Sequence, residues 1–335
     1  MALRRDLFKN YVFIDYATQA YSALAGLLVL FFHNDTVPHW GWIVLAHVTG
    51  IATVHWLVKA GAAKDPDKAI DFFRHFYPVL FYIWFFAETG WMNRMFFHEY
   101  MDPVVIRWDQ ALFGCQPSII WMQKLPYLAV SEVFYAAYFS YYIMIGGVGI
   151  ALYLRNRQQF FHYVSVVSFV FYVCYVVYII LPVIGPPVFF RSIFGFSLPA
   201  DLQELASHAS YPEAVQSGPF FKLMAWIYRV FEAPGAAIPS SHVAIAVCTV
   251  FFSFLYLPRI RYVHLAAAIL LCISTVYCRY HYLTDVLAGM VTAGLLVPLG
   301  HWLYLKSETS PITGSSNATR ASSASDLPRG VSPIL

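Results

Sequence analysis

Mostly apolar runs of about twenty residues, the length a membrane-crossing helix needs, recur along this chain. Eight stand out, at residues 16–34, 39–59, 75–93, 126–154, 160–182, 237–257, 262–279 and 283–305. The second and third carry His47, His55 and Glu88, and the seventh is short. In residues 103–117 Arg107 and Asp109 interrupt the apolar run, which predicts an amphipathic interfacial helix rather than a crossing. From residue 307 to 335 the chain is rich in Ser, Thr and Pro with little to bury, which predicts a disordered tail. The expected architecture is an all-α integral membrane bundle of about eight transmembrane helices.

Composition agrees with the pattern. Hydrophobic residues make up 59% and charged residues only 12%, against about 25% charged in soluble chains. The mean hydropathy is +0.59. A surface of this kind is solvated by lipid, which argues against a water-facing enzyme with one large core. The net charge of +3 gives no case for nucleic acid, and the 19% of aromatic residues suits interfacial belts. Cys115, Cys174, Cys248, Cys272 and Cys278 form no CxxC pair, so neither a zinc site nor a redox motif is indicated. No cleavable signal peptide and no long internal repeat is read.

Cations orient the bundle, because cytoplasmic loops collect Lys and Arg. With the N-terminus inside, fourteen of them fall on the cytoplasmic side and seven outside, and the short loops at Arg155–Arg157 and Arg259–Arg261 are the clearest markers. Both termini are then cytoplasmic. The loops around 90–125 and 183–236 face the periplasm, exterior or lumen. Asn317-Ala-Thr319 matches a glycosylation acceptor but falls on the cytoplasmic side, where it is expected to be unused.

Two stretches at the non-cytoplasmic face carry the chemistry. Gly235-Ala-Ala-Ile-Pro-Ser-Ser-His242 opens the sixth run, and Thr275-Val-Tyr-Cys-Arg-Tyr-His-Tyr-Leu-Thr-Asp285 opens the eighth. In the first, Pro239 suits an initial helical turn and Ser240 and Ser241 suit an N-cap. The unpaired N–H groups of such a turn, with the helix dipole, make an anion site, and His242 stands beside it. In the second, His281 and Asp285 are four apart and share a helix face. The carboxylate can fix the imidazole tautomer and stabilise a positive ring. Arg279 offers a planar fork suited to phosphate oxygens.

Pro239-Ser-Ser-His242 and His281-x-x-x-Asp285 resemble the second and third motifs of the type 2 phosphatidic acid phosphatase superfamily, over about residues 125–305. Asp109-x-x-Leu-Phe-Gly114 is similar to the inositol phosphorylceramide synthase branch. The resemblance implies a six-helix phosphatase-type core and a division into 1–124 (N-terminal transmembrane helices and interfacial segment), 125–306 (catalytic membrane domain) and 307–335 (cytoplasmic tail). It implies that His281 attacks phosphorus to form a phosphohistidine and that Asp285 orients it. His242 would protonate the leaving oxygen and then activate water or an alcohol. Ser240 and Ser241 would hold phosphate oxygens, with no metal and no cofactor. The expected partners are a lipid phosphate substrate, the bilayer and, in the transferase case, a lipid alcohol acceptor.

Two departures follow. The first family motif supplies a Lys and an Arg-Pro pair, whereas Tyr178 to Pro187 holds no cation. The Arg expected six residues before the third-motif His is Thr275, and Arg279 lies two before instead. Arg279 is thus the leading phosphate partner, followed by Arg191 and then by Lys222 and Arg229. Among other residues, His47 and His55 are read as polar packing contacts rather than haem ligands. Glu88 and Glu132 either line a cavity or bond between helices, and Tyr135, Tyr138, Tyr141 and Tyr142 are read as packing and belt residues. The rival readings are a phospholipid headgroup transferase and a non-enzymatic carrier or haem binder. An intramembrane serine protease is disfavoured, because Ser240 and Ser241 lack a Gly-x-Ser-Gly context.

Overall fold

In the computed structural model, which describes residues 7–190, 200–231 and 234–309, a helix forms at each predicted run. They are α1 (Phe13–Phe32), α2 (Trp40–Ala60), α3 (Lys68–Met92), α4 (Asp102–Phe113), α5 (Pro117–Lys124), α6 (Leu128–Arg155), α7 (Arg157–Ile180) and the single turn α8 (Pro186–Phe189). After them come α9 (Ala200–Ser207), α10 (Glu213–Gln216), α11 (Pro219–Phe231), α12 (Ser241–Tyr256), α13 (Arg261–Tyr277) and α14 (Leu283–Thr309). The described residues hold no β-strand, only an isolated parallel bridge between Val183 and Ala236. Arg191 and the tail from residue 310, with Asn317, lie outside the described residues.

Five helices, α1, α2, α6, α7 and α14, are long and apolar enough to cross a membrane. Three others occupy predicted crossings without meeting that measure. With 25 residues α3 is long enough, but His75, Glu88 and several Tyr and Trp make it less apolar. The 16 residues of α12 span about 24 Å at 1.5 Å each, short of a hydrocarbon core of about 30 Å. It starts at Ser241 because the residues before it are extended: the Ala237 N–H donates to the Val183 carbonyl at 2.9 Å. The 17-residue α13 is short for a different reason, the turn that ends it at Tyr277.

The bundle is built around α7, which packs against α1, α3, α6, α12 and α14. Its Val166, Val167, Val170 and Cys174 are fully buried. Outward-facing apolar side chains such as Phe31 and Trp42 are 72% exposed, as expected where lipid is the solvent. Two charge pairs lie among α1, α2 and α3. Arg74 meets Asp15 at 2.7 Å, and the Tyr77 hydroxyl donates to the same carboxylate at 2.7 Å. His47 lies 3.2 Å from Glu88, while His55 bonds the Tyr11 hydroxyl at 2.8 Å. These two histidines therefore have separate polar helix-packing partners. Glu132, on α6, accepts from the Phe220 and Phe221 N–H groups at 2.9 and 3.3 Å and so caps α11.

Candidate active site

The turn after α13 decides where His281 points. Arg279 N–H donates to the Val276 carbonyl at 2.9 Å and Tyr280 N–H to the Thr275 carbonyl at 2.9 Å, the paired bonds of a Schellman ending. The left-handed position of that motif usually belongs to glycine; here it is Arg279, with φ of +65°. A side chain in that region costs about 1–2 kcal/mol. The guanidinium holds it there, donating to the carbonyls of Ala209, Ser210 (3.0 Å) and Ile119 (3.5 Å) and lying 5.1 Å over the Tyr211 ring. Arg279 is thus buried and engaged mainly by backbone carbonyls, and its Nε has no partner among the described residues.

The next residues bring the candidate site residues together. The His281 N–H donates to the Thr275 carbonyl at 3.1 Å, which fixes the backbone. His281 Nδ1 lies 3.4 Å from Asp285 Oδ2, and that oxygen also accepts the Tyr282 N–H at 3.0 Å. On its other side His281 Nε2 lies 3.4 Å from His242 Nδ1, and His242 Nε2 lies 3.1 Å from the Tyr138 hydroxyl. The order Asp285, His281, His242, Tyr138 therefore runs from the first turn of α14 through the turn before it, where His281 lies outside the helix and not on a shared helix face, to α12 and α6. All four are buried or nearly so. Burial pulls the His281 imidazole down to about 4, a bond to the Ala237 backbone opposing it. At neutral pH the ring is uncharged, the form in which Nε2 can act as a nucleophile.

The N-terminus of α12 is locked to α14. The Ser240 N–H donates to the Asp285 carbonyl at 3.0 Å, and the Ser240 hydroxyl caps the helix by accepting the Val243 N–H at 3.4 Å. Tyr178, on α7, reaches this N-terminus from the stretch that holds no cation. Its hydroxyl accepts the Ser241 N–H at 3.1 Å and donates to the Pro239 carbonyl at 2.8 Å. Two of the donors expected for a phosphate are therefore already used, by Ser240 Oγ and by Tyr178. Ser241 itself lies in the first turn of α12 beside His242.

Sequence reasoning did not place two aspartates that hold this loop. Asp109 Oδ1 accepts the Thr284 N–H (2.8 Å) and hydroxyl (2.6 Å), and Oδ2 accepts the Leu283 N–H (3.0 Å). It thereby caps α14 from α4. Asp102, also on α4, accepts the Ile184 and Gly185 N–H groups at 2.9 Å each and the Tyr282 hydroxyl at 2.8 Å. Burial pushes its carboxyl up to about 7, the three donors opposing. Gly185 adopts φ of +83°, and a Cβ there would sit 3.0 Å from the Tyr280 carbonyl oxygen, so the loop passes close behind the turn that carries His281. The Asp109-x-x-Leu-Phe-Gly114 spacing was the one signal pointing at this helix; Asp102 carried none.

Of the predicted site residues, His242, His281, Asp285 and Ser240 are brought together. Arg279 is adjacent in sequence but directs its guanidinium to carbonyls of the neighbouring segments. The family model described as the PAP2 superfamily matches residues 103–299, more than half of the chain, and includes all of these residues. Comparison with curated proteins and with solved structures returns no match. With two histidines and a carboxylate assembled from the starts of two helices, inside a match of that extent, the chain belongs to the PAP2 superfamily, whose members are generally phosphoesterases.

Proposed function

We propose that this protein cleaves a phosphate ester of a lipid phosphate at the non-cytoplasmic face of the membrane, through a phosphohistidine on His281 and without a metal. The observation that carries the reading is the continuous contact from Asp285 through His281 to His242. A neutral, buried imidazole backed by a carboxylate is an activated nucleophile. His281 Nε2 would form the N–P bond as the P–O bond to the leaving group breaks, and Asp285 would stabilise the positive ring that results. His242 would give a proton to the departing oxygen and later take one from water. The oxygens of the phosphoryl group would meet the first turn of α12. Arg279, a buried guanidinium with no carboxylate in contact among the described residues, would add positive potential from behind. We read the eight helices named at the predicted crossings as eight spans with both termini cytoplasmic, the short α12 and α13 ending where the site begins.

A phospholipid headgroup transferase like inositol phosphorylceramide synthase is the second reading. Its support is Asp109, the first residue of the motif shared with that branch, which caps the catalytic helix. Chemically the two readings differ in whether water or a lipid alcohol attacks the phosphohistidine.

Purified protein in detergent, given a panel of lipid phosphates and phospholipids with and without a lipid alcohol, tests both. Phosphate release that is lost in His281→Ala, with an acid-labile phosphoryl group trapped on the wild type, is the expected result. Suppression of release by the alcohol, with a new phospholipid formed, selects the transferase. No turnover across the panel by folded protein would return the chain to a carrier or binding role.

A further inference from the structure

The imidazole of His242 has two ring nitrogens with different neighbours, and the proposed chemistry needs one of them to do the work. Nδ1 faces His281 Nε2 at 3.4 Å, the side on which the phosphoryl group must sit. Nε2 faces the Tyr138 hydroxyl at 3.1 Å. That hydroxyl belongs to a fixed ring: Tyr138 is 2% exposed and stacks on Tyr280 with centroids 4.4 Å apart. The His242 ring also packs at a tilt of 54° against Tyr141, their centroids 4.6 Å apart. Neither ring can swing away without breaking these contacts.

We propose, resting on the phosphohistidine reading above, that Tyr138 is a positioning residue that keeps Nδ1 of His242 as the proton-transferring nitrogen. A hydroxyl rotates to suit its neighbour and can accept a hydrogen bond from Nε2–H. With Nε2–H pointed at Tyr138 in both charge states, the proton gained and lost in the cycle is the one on Nδ1. The ester binds as its monoanion and its remaining acidic proton passes to Nδ1; when His281 Nε2 then bonds to phosphorus, the P–O electron pair leaves with the alkoxide oxygen, and Nδ1–H supplies that oxygen's proton. His242 is then neutral with a free lone pair on Nδ1, ready to take a proton from the attacking water. Without Tyr138 the imidazolium loses the acceptor for its Nε2–H, which weakens it as the donor to the leaving oxygen, and the neutral ring is free to carry its proton on Nδ1, where it could not act as a base toward that water. The tautomer set by a bond to the opposite nitrogen is a general property of working histidines.

The test compares two esters that differ in their need for a proton. The alkoxide leaving from dioctanoyl phosphatidic acid needs one, and the nitrophenolate leaving from 4-nitrophenyl phosphate does not. Single-turnover formation of the phosphohistidine is measured for wild type, Tyr138→Phe, His242→Ala and the double variant. Tyr138→Phe keeps the ring that stacks on Tyr280. It should slow cleavage of the lipid ester about 10- to 100-fold, part of the 10²–10⁴ that general acid catalysis supplies. The activated ester should change by no more than about threefold by the same reasoning. The double variant should be no slower than His242→Ala, because Tyr138 acts only through His242. Equal slowing on both esters, no slowing on either, or losses that multiply in the double variant would each overturn this inference while leaving the phosphohistidine reading intact. A folded wild type that cleaves neither ester would remove both. Independently of any variant, ¹⁵N spectra of the wild-type imidazoles should show the neutral His242 protonated on Nε2, and protonation on Nδ1 would sink the proposal.

Discussion

His281 shows how burial decides the state of a single residue. An ordinary imidazole titrates near 6.5, whereas burial pulls this one down to about 4. Between those values the unfolded chain binds a proton that the folded chain does not. The contribution of His281 to stability is therefore complete above about pH 6.5 and is lost as pH falls toward 4, the folded value. A histidine-resolved NMR titration in detergent should give a midpoint near 4 for His281, and the melting midpoint should drop over the same window relative to a His281→Gln control. A midpoint near 6.5 would mean that the ring is solvated and that the contact with Asp285 is loose. Arg279 makes the complementary point. A left-handed arginine is an unfavourable choice for a helix ending, and its guanidinium bonds to three carbonyls compensate for the strain.

At the scale of helices, the site is an approach of two N-termini. The first turn of α12 and the first two turns of α14 lie so close that Gly289 has no room for a side chain. A Cβ there would sit 2.6 Å from the Ser240 carbonyl oxygen and 3.1 Å from the Val243 Cβ. The first obstacle is backbone, so it cannot rotate aside. Gly289→Ala should push α14 from α12, lengthen the His281–His242 distance and lower turnover at least tenfold by the sensitivity of reacting geometry to shifts of about 1 Å. Gly294→Ala on the same helix, where a Cβ would meet nothing within 4 Å, is the matched control and should be near neutral. Equal activity in both variants would show that the approach is looser than described. The third participant is α4, which grips the loop before α14 through Asp102 and the helix itself through Asp109.

For the whole molecule, the proposed orientation of the bundle assigns opposite fates to its loops. In that proposal the cation-rich loop at Arg155–Arg157 lies on the cytoplasmic side and Lys222 on the other. In a background with the native cysteines replaced, a single cysteine at Arg157 should react with an impermeant maleimide only after the membrane is opened, and one at Lys222 should react in intact cells. The reverse pattern would invert the bundle and put the two histidines at the cytoplasmic face. The helices ahead of the family match, α1 to α3, are tied to the rest by α1 and α3 packing on α7 and by stacking of Tyr21 on Tyr172, with centroids 5.2 Å apart. Their Asp15–Arg74 pair is buried, so its worth lies in being matched: losing one partner strands a charge where no water reaches it.

Sequence alone was enough for the features that depend on solvent and on local spacing. Long apolar runs specify helices that lipid can solvate, because a backbone in hydrocarbon must satisfy its own hydrogen bonds. A Pro-Ser-Ser-His start and a His-x-x-x-Asp spacing mark two chemically equipped helix starts, although His281 lies in the turn before α14 and reaches Asp285 from outside the helix rather than along one helix face. The tertiary structure decided what no local pattern encodes. It turned Arg279 toward carbonyls, spent the N–H of Ser241 on Tyr178, and made Glu132, Asp102 and Asp109 caps for segments far away in the chain. It also singled out Tyr138 from four tyrosines that look alike in sequence, since only contact across 104 residues gives its hydroxyl a histidine to hold. Helix ends and solvent preference are written in a few consecutive residues, whereas the partner of a buried polar group is fixed only when distant segments pack and water is excluded.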